Sequence, residues 1–131
     1  MLSDWWRGQK LPDVEGIVDA GGRLHAPSGT GFLPTGSAPG THGELDVDLL
    51  ASRDLPFFGL RVECGEASAH GSIGVVVVRR LSDRSPLWAL VSSRSNPFDQ
   101  VEVKGPWVLV LSTSGAVLRF REGWQDARLW S

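Results

Sequence analysis

Ile73-Gly74-Val75-Val76-Val77-Val78, Leu87-Trp88-Ala89-Leu90-Val91, Val101-Glu102-Val103, Trp107-Val108-Leu109-Val110-Leu111 and Ala116-Val117-Leu118-Arg119-Phe120 are five short apolar runs in one stretch, residues 73–121. Their residues are β-branched or bulky, and the breaks between them carry Gly, Pro, Asn, Asp and Ser. That is the signature of adjacent strands. The links are too short for crossover helices, so the pairing is expected to be antiparallel, as a meander. The hairpin Trp107 to Arg121, with Gly115 in its turn, is the clearest element.

Earlier in the chain, Glu44-Leu45-Asp46-Val47-Asp48-Leu49 alternates strictly. Leu45, Val47 and Leu49 face one way and the acids face water. Phe58, Leu60, Val62 and Cys64 alternate in the same manner after Pro56. These two segments read as an antiparallel pair. Gly16 to His25 reads as two very short strands around Ala20-Gly21-Gly22. Residues 26–43 hold five Gly and three Pro. This composition predicts a long loop rather than a helix or strand. Residues 1–14 read as an arm with a short helical turn, and Trp5 and Trp6 call for burial. Glu122 to Trp130 is the one further helical candidate.

The expected fold is therefore mainly β: a single-domain antiparallel sandwich or partly open barrel of seven to nine strands with little helix. One domain suits 131 residues. A hydrophobic fraction of 41% with 21% charged residues excludes global disorder. Val75 to Val78, Leu87 to Val91 and Trp107 to Leu111 are apolar on both faces, and strands of that kind are covered on both sides. Too little helix is available to cover them. Either the N-terminal segment 1–43 wraps over the sheet, or a second copy or a partner does.

A net charge of −2 gives no general attraction for phosphate backbones, so nucleic acid is not an expected partner. No apolar stretch reaches membrane-spanning length. The first residues lack the apolar core of a signal peptide, and the single cysteine forms no internal disulfide. A reducing cytoplasm is the expected setting.

No complete catalytic constellation emerges. His42-Gly43-Glu44-Leu45-Asp46 would put three metal-ligand types on one strand face, but the same acids serve as an ordinary solvated face. No metal or cofactor is expected. Cys64 continues the apolar register of its strand and reads as a small buried hydrophobe rather than a nucleophile. Gly29-Thr30-Gly31 lacks the Lys and the following helix of a phosphate loop.

The polar loop Ser92 to Asp99 offers the best recognition groups, Arg94, Asn96 and Asp99, with Trp88 as a floor and His70 nearby. Six Trp without Tyr is an unusual balance, and Trp is favoured at interface hot spots. Two functions from different classes follow. One is a small non-enzymatic binding protein that recognises a protein partner or self-associates through an apolar sheet face bearing Trp. The other is a ligand-binding or catalytic barrel, its mouth lined by the 26–43 loop, His70 and the 92–99 loop.

Overall fold

Strands that are apolar on both faces need cover on both, and for Val75 to Val78 and Leu87 to Val91 this chain supplies it from its own two ends, whereas the outer face of Trp107 to Leu111 stays half-exposed. The computed structural model describes residues 1–35 and 43–131, with the backbone alone at His70. A short helix α1 (Leu2–Trp6) leads into β1 (Lys10–Pro12), β2 (Gly16–Asp19), β3 (Leu24–Ser28), β4 (Gly31–Pro34) and β5 (Glu44–Leu55). Then come β6 (Leu60–Ala67), β7 (His70–Arg80), β8 (Pro86–Ser92), β9 (Phe98–Lys104), β10 (Trp107–Ser112), β11 (Val117–Phe120) and β12 (Arg128–Trp130). The strands form two antiparallel sheets. The larger runs β1-β5-β6-β7-β8-β2-β3-β4 and the smaller runs β12-β11-β10-β9.

Alternation along each strand sends neighbouring residues to opposite faces. Val76, Val78, Trp88 and Leu90 face the smaller sheet and meet Val108, Val110, Leu118 and Phe120 in the main core. Val75, Val77, Ala89 and Val91 face outward and lie under Leu2, Trp6 and Leu11 of the N-terminal segment. The backbone N–H of Leu2 donates to the Ala20 carbonyl at 3.2 Å, which fastens α1 to the sheet. Of the two ways of covering these strands, the N-terminal wrap is the one observed. Each large side chain buried in these layers is worth ~1.5–3 kcal/mol.

The sheets draw together at both edges. At one, the Leu129 N–H of β12 donates to the Thr30 carbonyl beside β4 at 2.7 Å. At the other, the Arg53 guanidinium of β5 donates to the Val101 carbonyl of β9 at 3.1 Å. The result is a sandwich on the way to an open barrel, mainly β with little helix.

Several expectations need correction. Twelve strands lie among the described residues, against the seven to nine expected. The surplus comes from pieces such as β1, β4 and β12, too short for periodicity to reveal them, with Pro in β1 and Gly and Pro in β4 weakening the signal further. Residues 24–28 and 31–34 form a hairpin where a loop was expected over 26–43. Proline is tolerated in it because the pair lies at the sheet edge. Residues 36–42 of that expected loop lie outside the described residues.

The five late runs do not make one meander. β7 and β8 belong to the larger sheet, and residues 93–97 carry the chain across to β9 in the smaller one. Asn96, with φ of 59°, turns the chain sharply there, and Pro97 cannot extend a ladder. Finally, Glu122 to Trp130 is not a helix. Trp124–Asp126 is a single 3-10 turn, and Arg128–Trp130 pairs with β11 as a strand.

Candidate functional site

The polar loop 92–99 does not gather the side chains expected of it. Trp88 is 2% exposed and sits in the main core, its ring edge-on to Phe120 at 4.9 Å. It cannot floor a surface site. Asn96 serves the turn through its backbone: its carbonyl accepts from the Ser95 hydroxyl at 3.0 Å. Asp99 lies exposed on β9, the edge strand of the smaller sheet. His70 opens β7 opposite Ala67, and its side chain, like His42, lies outside the described residues. His25 is buried, stacked on Trp124 at 3.8 Å, with Nε2 2.9 Å from the Asp19 carboxylate.

Arg94 alone reaches an opening. It borders a cleft of about 530 Å³ with Glu15, Thr30, Phe32, Ser93 and Leu129. The two expected loops thus do meet, through residues 27–32 and 92–94. But both Glu15 carboxylate oxygens accept the Ser93 N–H, at 2.9 and 3.3 Å, so that acid ties the loop down. No histidine lines the cleft among the described residues.

The remaining chemistry is equally structural. Burial pushes the Cys64 thiol up to about 12, with the Asp99 charge adding to the effect. A thiol so protonated is no nucleophile at neutral pH. Glu44 and Asp46 both contact the Lys10 ammonium, at 3.1 and 3.5 Å. No cluster of three His, Cys, Asp or Glu suited to a metal occurs among the described residues.

A surface that sequence reasoning passed over is the outer face of the smaller sheet. Val108, Val110, Leu118 and Phe120 point to the core, so Trp107, Leu109, Leu111, Val117 and Arg119 point out, and all five stay half-exposed. In the register, Leu109 stands beside Arg119, and Val117 stands between Leu111 and Trp130. The Arg119 guanidinium carbon lies 4.1 Å from the centre of the Trp107 ring and 4.9 Å from that of Trp130. One cation is thus held by two indoles on an open sheet face. Cation–π contacts of this kind contribute about 0.5–1 kcal/mol each at exposed sites. The Arg121 guanidinium stands 5.8 Å from the same Trp107 ring. The signal was faint because Trp107 to Leu111 is apolar at every position. Periodicity could not say which side faces out.

Comparison with protein-family models, curated proteins and solved structures returns no match for this chain.

Proposed function

We propose that this chain is a small non-enzymatic binding protein that recognises a protein partner through the outer face of its smaller sheet. The observation carrying this reading is the Trp107–Arg119–Trp130 stack among half-exposed Leu109, Leu111 and Val117. Trp and Arg are the residues most enriched at interface hot spots, and such anchors sit amid apolar neighbours. Here the anchors are held in place before any partner arrives, which lowers the ordering cost of association.

Self-association is the weaker form of the proposal. Two of the three doubly apolar strands that motivated it, β7 and β8, are covered by α1 and β1. A two-fold contact through the outer face would also set Arg119 and Arg121 of one copy against those of the other. The free, buried Cys64 suits a reducing cytoplasm, where we place the protein's action.

The test is affinity capture with the whole chain, read by quantitative mass spectrometry. A genuine partner is lost with Trp107→Ala and with Arg119→Ser, and is retained with Leu50→Ser on the opposite sheet. A protein profile indifferent to Trp107 and Arg119 would discard the reading. Light scattering is expected to give a monomer mass; a dimer abolished by Arg119→Glu would shift the proposal to self-association.

The cleft beside Arg94 supports a second reading, binding of a small anionic molecule against Phe32 and Leu129. Calorimetry with carboxylate ligands against Arg94→Ala separates it from the first.

A further inference from the structure

The outer face continues past Arg121 to one end of the sandwich, which holds the most exposed aromatic side chain among the described residues. Phe57 is 97% exposed. It is not a loose residue. Pro56 opens the 3-10 turn that carries it, and Gly59 closes the turn at φ of 68°. The Gly59 carbonyl then accepts the Leu81 N–H at 2.9 Å, tying the turn to the β7–β8 connection. Phe58 packs edge-on against it at 5.9 Å.

Beside this pair lies a cleft of about 440 Å³, bordered by Phe57, Phe58, Leu60, Pro106, Arg121 and Glu122. Arg121 therefore belongs to two places at once. Its side chain walls the cleft and also stands against the Trp107 ring. Its backbone is fixed, since the Asp126 carboxylate accepts the N–H groups of Arg121 and Glu122 at 2.9 and 3.0 Å.

Lys104, Arg119 and Arg121 stand along this continuous surface with Glu102, Glu122 and Asp126, three cations against three carboxylates, so it is locally neutral in a chain of net −2. The Arg128 guanidinium turns away to Gly31 and to the Gln125 and Ala127 carbonyls. Among the described residues, none of these three cations forms an ion pair.

Resting on the reading of the sheet face given above, we infer that the partner presents an acidic, extended polypeptide segment. Its carboxylates lie along Arg119 and Arg121, and one apolar or aromatic side chain enters the cleft beside Phe57. Arg119 and Arg121, without ion-pair partners among the described residues, select the acidic segment by charge complementarity. A second copy of this chain would bring these two cations against themselves. A single-stranded nucleic acid would also be drawn by the cations, but successive bases need successive open rings to stack on. Arg119 covers one face of each of Trp107 and Trp130, which leaves Phe57 as the one nearly fully exposed ring of this surface. The cleft and the rigid Phe57 instead suit a side chain inserted from a peptide.

The probe is a short fluorescent Asp/Glu peptide with one central Phe, titrated by anisotropy into the whole protein. Its companions are the Phe→Ala peptide, a Lys version and an oligothymidylate. The acidic Phe peptide should bind, and binding should weaken with added salt. Phe57→Ala, Arg121→Glu and loss of the peptide's Phe should each weaken it about tenfold. Both protein variants change exposed side chains, so folding is retained and can be checked by circular dichroism. Equal or tighter binding of the Lys peptide or the oligonucleotide overturns the inference. So does acidic-peptide binding that ignores Phe57 and Arg121. If a captured partner depends on Trp107 but not on Phe57 or Arg121, this inference fails while the sheet-face reading stands. If nothing depends on Trp107, the sheet-face reading itself fails.

Discussion

Two glycines show how single residues permit this fold. A Cβ on Gly65 would run into the Asp48 carbonyl and press on Leu49, and one on Gly74 would run into the Asn96 carbonyl and Ser95. Neither glycine has a positive φ; the constraint is close approach. Gly65→Ala and Gly74→Ala are expected to cost roughly 1–3 kcal/mol each, as overpacking does. Denaturant titration of the two variants checks this, and an unchanged midpoint would refute it.

Cys64, with its thiol at about 12, should not react with a disulfide reagent at mildly alkaline pH until the protein unfolds. Asp83 shifts the opposite way. The Ser85 backbone N–H, the Ser85 hydroxyl and then Arg80 hold its carboxyl down to about 2. Its folded value is depressed from 3.8, so its support for the 83–85 turn is complete above that ordinary range. The support fades as pH falls and is gone below about 2. An NMR titration of the Asp83 carboxyl carbon should show the low midpoint, rising in Ser85→Ala.

At the scale of elements, β5 does two jobs because of one extra residue. Leu49 pairs with Gly65 and Ala51 with Cys64, so Leu50 is inserted as a bulge and is left 50% exposed. A bulge of this kind shifts the side-chain alternation by one. Leu45 and Val47 consequently lie under the N-terminal segment, whereas Ala51 and Leu55 join the main core. The strict alternation of residues 44–49 was legible in the sequence, but its reversal at Leu50 was not. The bulge appears only when β6 is laid alongside.

Helix α1 is likewise justified only by tertiary contact. Five residues are far too few for an isolated helix to persist in water. Leu2 is completely buried. Leu2→Ala should therefore cost about 2–5 kcal/mol, as buried Leu→Ala changes do. It should also expose Val75, Val77 and Val91 to a hydrophobic dye; stability and dye binding like those of the parent chain would show that α1 is dispensable.

For the whole molecule, the runs from Val75 to Phe120 and the pattern of residues 44–64 established a mainly β, antiparallel sandwich or open barrel. That followed from local chemistry: β-branched residues, period-two alternation, and Gly or Pro at the breaks. The same runs stated that both faces of Val75 to Val78, Leu87 to Val91 and Trp107 to Leu111 should be dry, which holds for the first two strands. Only the folded chain decided what dries them, because cover is a contact between residues far apart in sequence: Leu2 with Val75, and Val76 with Val108's layer. The candidate site divides in the same way. Arg94 and the meeting of loops 27–32 and 92–94 could be anticipated, since polar turns at strand ends gather at the rim. The Trp107–Arg119–Trp130 stack could not. Its members come from three strands, and their shared outward side is set by strand register, which no single strand's composition encodes.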